Sequence, residues 1–352
     1  MHLYIHIPFC QSKCHYCSFT SLNKKNYEKA YFKALLEDLK FQFDFFKLSK
    51  NSLNTLFIGG GTPSVIEAKF YEELFIFLAP YLNKNSENTI EANPNSANLE
   101  WLKNMKEFGI NRISFGAQSF HSKKLEFLGR THTQKELFES VENAKKSGFK
   151  NINIDLIYDT KLDDKKMLDF ELLHLKKIKK LLTHISAYHL SIEKNTAFAN
   201  FAHYKKNAPR LMKYFIEQIE NLGFKQYEIS NFGRVCKHNL AYWQGKDYIG
   251  CGLSAVGFLK NQRFYTAKNL KTYIANPIFR EVENLSLKEL HLERLFLGFR
   301  SKVGVSEKIL NPTQLQKAKE LVNCKKLEFK NNRFYNPNFL ISDELALYLE
   351  PS

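Results

Sequence analysis

Cys10-Gln11-Ser12-Lys13-Cys14-His15-Tyr16-Cys17 puts three cysteines within eight residues at the spacing C-x3-C-x2-C, directly behind the apolar run Leu3, Tyr4, Ile5, Ile7. That run reads as a strand ending at Pro8. The thiols therefore sit on the loop that leaves a strand, and thiolates this close can converge on one inorganic centre.

The count of three separates the candidate centres. A structural zinc site takes four closed ligands, usually as two pairs, and no second pair at finger-like spacing occurs in the chain. A disulfide framework fits poorly, because Cys236, Cys251 and Cys324 are scattered and nothing at the N-terminus reads as secretory. Iron–sulfur clusters are normally held by four cysteines. Three would leave one iron with a position open to a substrate or cofactor, as an open zinc site does.

Outward from this loop the pattern alternates. Tyr27 to Lys47 has apolar residues at helical spacing, and Leu53 to Ile58 reads as a strand ending in Gly59-Gly60-Gly61-Thr62-Pro63. A helix is expected over Glu67 to Leu82. Strands follow at Thr89–Ala92, Arg112–Phe115, Ile152–Ile157 and His184–Leu190, with helices after them at Leu99–Phe108, Gln134–Ser147, Lys165–Leu182 and Pro209–Asn221. Six strands each followed by a helix imply a parallel sheet, either curled into a barrel or open and doubly wound. Beyond Gly223 the alternation stops. Gln226 to Phe232 is strand-like, Cys236 to Phe264 is rich in Gly and aromatics, and two helices with a hairpin at Asn331-Asn332 are expected in the tail.

The 352 residues suffice for one large α/β unit and a smaller one. No apolar run reaches the ~18–20 residues of a membrane span, and the first strand begins without a signal peptide. A soluble, cytoplasmic protein is expected. The formal charge of +16 comes from Lys spread over helix faces such as Lys176-Lys177 and Lys179-Lys180, without an Arg-rich or aromatic-interleaved patch. That describes a solvated surface, so no nucleic-acid partner is expected.

Polar residues recur at strand ends. The glycines of Gly59-Gly60-Gly61 let backbone approach a ligand closely. Glu91 closes the third strand, where a carboxylate facing a barrel mouth is costly unless it pairs or binds something polar. Ser114-Phe115-Gly116-Ala117-Gln118-Ser119, Leu128-Gly129-Arg130-Thr131-His132 and Asp155 in Asn153-Ile154-Asp155-Leu156-Ile157-Tyr158 follow in turn.

Taken with Tyr4-Ile5-His6-Ile7-Pro8-Phe9-Cys10, these motifs resemble the radical S-adenosylmethionine (SAM) proteins, and more narrowly the oxygen-independent coproporphyrinogen III oxidase group. The resemblance runs through nearly the whole chain, to Glu293–Arg300. It implies an incomplete parallel (β/α)6 barrel over residues 1–225, a connecting segment over 226–270, and a small, mainly helical, winged-helix-like unit over 271–352. It also implies a [4Fe-4S] cluster on Cys10, Cys14 and Cys17, with the fourth iron chelating SAM. Tyr4, Gly60, Gly61 and Thr62 are implied at the SAM site, as are Glu91, Gln118, Arg130 and Asp155.

Two departures from the family pattern matter. Asp159-Thr160-Lys161 stands where the family has Gly-Leu-Pro, which alters the local loop. Phe19 stands where the oxidases carry a fourth cysteine, and the N-terminal arm is short. Both of the latter features resemble the sister branch, the haem chaperones. His238-Asn239-Leu240-Ala241-Tyr242-Trp243 resembles a motif of that branch linked with haem binding. An imidazole is a good axial ligand, and Tyr242 and Trp243 offer flat surfaces for a porphyrin; Cys236 and Cys251 are the other candidate ligands. The implied function is haem delivery to apo-haem proteins, with an electron donor as further partner. Transient contact with membrane haem proteins and a homodimer are compatible with it. The alternative is oxidative decarboxylation of coproporphyrinogen III, and whether the chain turns over as an enzyme is left open.

Overall fold

The computed structural model describes residues 1–23 and 26–350. Its main sheet has eight strands. Six are parallel and follow chain order: β1 (His2–Ile7), β2 (Leu53–Gly60), β3 (Leu82–Ala92), β4 (Arg112–Gln118), β5 (Asn151–Tyr158) and β6 (His184–His189). β7 (Asn231–Gly233) adds antiparallel to β6, and β8 (Ile249–Cys251) adds parallel to β1. The sheet order is β7-β6-β5-β4-β3-β2-β1-β8, so β1 and β6 do not pair and the barrel is incomplete.

The outer helices are α1 (Glu28–Phe45), α2 (Glu72–Leu78), α3 (Leu99–Glu107), α4 (Ser122–Leu128), α5 (Gln134–Lys146), α6 (Lys165–Ile178) and α7 (Pro209–Asn221). Their starts are written locally. Asn98 accepts from the backbone of Trp101, Asp164 accepts from that of Met167, and Thr133 with Glu136 forms a reciprocal capping box. The expected long helix over Glu67–Leu82 is instead two short 3-10 turns flanking α2, and Pro80 ends it. β3 is correspondingly longer than expected, and α4 is an addition.

The strands alternate with a period of two, apolar side chains toward the helices and polar ones inward. Ile58, Ile90, Ile113, Phe115, Ile152, Ile154 and Ile185 are in the apolar core beneath the helices. The opposite parity, including Glu91, Arg112, Ser114, Asn153, Asp155 and Ser186, lines a cavity inside the barrel. Register stacks these polar residues across the sheet: Glu91 faces Ser114, Ser114 faces Asn153, and Asp155 faces Ser186. A barrel without a ligand to hold is filled with branched apolar side chains. This one is lined for binding.

After the barrel come α8 (Lys237–Trp243), β9 (Val256–Leu259), β10 (Gln262–Tyr265), α9 (Leu270–Ala275) and β11 (Glu281–Asn284), the three strands forming an antiparallel sheet. The strand-like run Gln226–Phe232 reduces to β7 and two isolated bridges, Gln226 to Phe232 and Glu228 to Ser301. The tail holds α10 (Leu287–Phe299), β12 (Val305–Ser306), α11 (Pro312–Asn323), β13 (Glu328–Lys330), β14 (Arg333–Tyr335) and α12 (Ser342–Leu349). Its strands form a small sheet, and residues 295–349 pack into a hydrophobic cluster of their own. The β13–β14 turn carries Asn331 and Asn332 at φ 51° and 57°, the left-handed pair a tight hairpin requires. Among the described residues no helix is long and apolar enough to cross a membrane.

Candidate functional site

The three-cysteine loop is stapled on both sides. Cys10 N donates to Leu22 O at 3.0 Å, Leu22 N donates to Pro8 O at 2.6 Å, and His15 N reaches across to Leu128 O at 3.1 Å. Phe9 anchors the loop's start edge-on against the buried ring of Tyr31. Cys10, Cys14 and Cys17 are free, half-buried thiols on the wall of a cavity of about 500 Å³.

Gly60, Gly61, Thr62, Glu91, Gln118, Arg130 and Asp155 line the same cavity, so motifs up to 145 positions apart in sequence meet in one place. Gln118 reaches it through a register shift in β4 between Gly116 and Gln118, with Gln118 at φ 62°. Such a bulge re-aims a side chain at the end of a strand. Arg130 is held on three sides. Nη2 donates to Asn93 Oδ1 and to Gly116 O, both at 2.6 Å, while Nη1 donates to Cys14 Sγ at 3.4 Å. Thr62 Oγ1 lies 3.3 Å from Cys10 Sγ and accepts from Asn93 Nδ2 at 3.2 Å. Two of the three sulfurs thus have a polar neighbour fixed by Asn93, a residue that no sequence motif marks.

The glycine run also lets the protein pack closely against itself. A Cβ on Gly59 would stand 2.7 Å from Glu91 Oε2, one on Gly60 2.6 Å from the His6 ring, and one on Gly61 2.7 Å from Phe9 O. The space saved by these glycines is filled by the protein itself. It lets Gly60 N donate to Glu91 Oε2 at 3.2 Å and brings β2 against the cysteine loop.

Burial, with the neighbouring Asp155 second, pushes the Glu91 carboxyl up to about 8. Burial also raises Asp155, against hydrogen bonds from Ser186, Asn153 and Ser114. Two neighbouring buried carboxyls that favour their protonated form are poised to ionise when a cation enters. Burial likewise raises the Cys10 and Cys17 thiols, so metal would replace a proton there.

The donor set fits an iron–sulfur cluster. Among the described residues no three His, Cys, Asp or Glu side chains stand close enough to share one metal ion. The thiols form a spread wall of soft ligands, which suits a polynuclear centre whose irons each take one thiolate. The side facing Glu91 and Asp155 stays open to an organic cation.

Six predicted residues lie off this wall. Tyr4 OH bonds His6 Nδ1 at 3.0 Å, and His6 Nε2 donates to Thr20 O at 2.8 Å. Tyr4 thus orients His6 instead of lining the cavity. His238 is 1% exposed, with Nδ1 at 2.7 Å from Thr55 Oγ1 and Nε2 at 2.8 Å from Tyr242 OH. Both ring nitrogens are thus engaged, Nδ1 with Thr55 and Nε2 with Tyr242. Haem ligation by His238, expected from the sequence, would require one of these bonds to open. Cys236 and Cys251 are wholly buried. Trp243 lies on a separate groove. From the same motif only Asn239 reaches the cavity.

The departure at Asp159-Thr160-Lys161 is accommodated. Asp159 takes φ 63°, the left-handed conformation that the family's glycine suits, and Thr160 N and Oγ1 both donate to Asp163 Oδ2 at 2.8 Å.

Comparison with known proteins agrees with this geometry. The family model "Radical SAM superfamily" matches residues 4–170. The "Heme chaperone HemW" of Lactococcus lactis subsp. lactis (strain IL1403) is 36% identical over 86% of this chain and 82% of its own length. That of Bacillus subtilis (strain 168) is 34% identical over 87% and 84%. The solved structure of coproporphyrinogen III oxidase (HemN) from Escherichia coli superposes with a TM-score of 0.80 over 99% of this chain and 89% of its own, at 20% identity, a likeness of fold.

Proposed function

The chain belongs to the HemW haem-chaperone family of the radical SAM superfamily, and from that membership we propose how its residues divide the work. It is a haem chaperone with a [4Fe-4S] cluster and SAM as cofactors and haem as cargo. Cys10, Cys14 and Cys17 hold the cluster, and Gly60, Gly61, Thr62, Glu91, Gln118, Arg130 and Asp155 form the SAM pocket. When bound, the cluster supplies an iron with an open position and one-electron reducing power beside SAM.

The chain's own groups supply the rest. Arg130, clamped by Asn93 and Gly116, sets a fixed positive charge beside Cys14 and lowers the cost of gathering thiolates. Glu91 and Asp155 release protons as a cationic amino group and sulfonium arrive, so the pocket's charge changes with occupancy. Ser114 and Asn153 keep Asp155 oriented, donating to it at 3.2 Å and 2.8 Å. Apo-haem proteins as recipients, an electron donor and a cytoplasmic setting belong to this reading.

The identity to HemW proteins along 82% of a relative's length is the observation that carries it. Phe19, exposed at the cavity rim where the oxidases have a fourth cysteine, points the same way. The test is a haem titration of the anaerobically reconstituted chain beside an assay with coproporphyrinogen III. Tight haem uptake without turnover is expected, and formation of protoporphyrinogen would overturn the reading.

A further inference from the structure

We propose that the cargo haem sits by its carboxylates in the groove between α8 and α10, outside the barrel, a location that rests on the chaperone reading above. The groove measures about 470 Å³ and shares no lining residue with the cysteine-bearing cavity. Its walls include Trp243, Leu297 and Ile309 together with three cations, Arg294, Lys302 and Arg333, and among the described residues no Asp or Glu lines it. Arg333 is partly spent, since Nε and Nη2 donate to Val303 O and Gly304 O at 2.8 Å and 2.9 Å. Arg294 and Lys302 are exposed, and among the described residues neither forms an ion pair.

An indole and two aliphatic side chains beside cations without acids describe a seat for an anion that also has an apolar face. A cationic ligand such as SAM finds no carboxylate here. A haem meets both features, with its ring against the indole and aliphatic side chains and its propionates on Arg294 and Lys302. This seat differs from the barrel floor occupied by His238, and it leaves the iron's axial positions open to a recipient's ligands.

The experiment crosses ligand carboxylates with protein cations. The cluster-loaded full chain and its Arg294→Glu/Lys302→Glu variant are each titrated with haem and with iron protoporphyrin dimethyl ester. The wild-type chain is expected to prefer haem by about tenfold or more, and the variant to bind both equally and weakly. Arg294→Lys, with Lys302 intact, should retain most of the preference. Unchanged SAM binding by the double variant shows that its fold is intact. A wild-type chain indifferent to esterification, or a variant that keeps the preference for haem, overturns the proposed seat while leaving the chaperone reading standing. A wild-type chain that takes up no haem removes both.

Discussion

Thr55 Oγ1 lies 2.7 Å from Nδ1 of His238 and 2.9 Å from Nδ1 of His2, with one proton to share between two imidazoles. If the hydroxyl donates to His238, then His238 Nε2–H donates to Tyr242 and His2 carries its proton on Nδ1; the reverse assignment inverts each bond. Burial holds both rings neutral, His238 at about 3 and His2 at about 4. The relay joins β1, β2 and α8 under the barrel. Glu87 of β3 completes it by accepting from the α8 backbone at Lys237 N, 2.7 Å.

Thr55→Val keeps the shape and strips both Nδ1 atoms of their shared partner. The expected cost is about 1–3 kcal/mol for each buried group left unpaired, read as a lower urea midpoint. Haem affinity should stay at the wild-type value, because the relay is structural. A haem affinity that falls with stability unchanged would return His238 to the list of ligands.

Much of the site is legible in the amino-acid sequence because its signals are local. The cysteine spacing, the glycine run and the strand-end positions of Glu91 and Asp155 each declare themselves over a few residues. The polar parity of the strands is readable too, since Ser114 and Asn153 alternate with Ile113, Phe115, Ile152 and Ile154. What stays hidden depends on distant partners. Nothing near Asn93 says that it will brace Arg130, and nothing near His238 says that Thr55, 183 positions away, will occupy its ring. The glycines at 59–61 suggest room for a ligand, but the space they leave is taken by Glu91, His6 and Phe9, contacts that only the fold creates.

Cys14→Ala removes the one thiol that Arg130 touches. The fold should survive, because Cys14 is only half-buried on a loop held by backbone bonds at Cys10 and His15. The expected result is loss of the brown iron–sulfur absorption after anaerobic reconstitution, with the far-ultraviolet circular dichroism unchanged. A full cluster spectrum in this variant would exclude Cys14 from the ligand set.

Arg130→Lys conserves charge and loses geometry. A single ammonium cannot reach Gly116 O, Asn93 Oδ1 and Cys14 Sγ together as the planar guanidinium does. Forfeiting two charge-assisted bonds in a buried setting costs on the order of 3 kcal/mol. Faster cluster loss and weaker SAM binding should follow together. Retention of both would show that the positive charge alone suffices.

The pH dependence of stability has two limbs with opposite causes. For His238 the folded value, about 3, lies below the ordinary 6.5, so between these the unfolded chain binds a proton that the native state does not. Stability is then full above 6.5 and is lost as pH falls through that window, at up to about 1.4 kcal/mol per unit. His2 acts in the same direction. Glu91 and Glu228 are the reverse case, raised by burial to about 8 from 4.5. The native state keeps their protons while the unfolded chain has released them, so stability falls as pH rises from 4.5 through 8. Above 6.5 the imidazole contribution is constant and the raised carboxyls outweigh the lowered N-terminal amine, which places the optimum of the ligand-free chain on the acid side of neutrality. A decline in melting temperature between pH 6.5 and 8 is expected, and it should shrink in Glu91→Gln and shrink further in Glu91→Gln/Glu228→Gln. Because a bound cation offsets the cost of ionising Glu91, SAM affinity should rise over the same interval in the cluster-loaded wild-type chain and stay flat in Glu91→Gln. A rise of equal size in both would move that titration to another group.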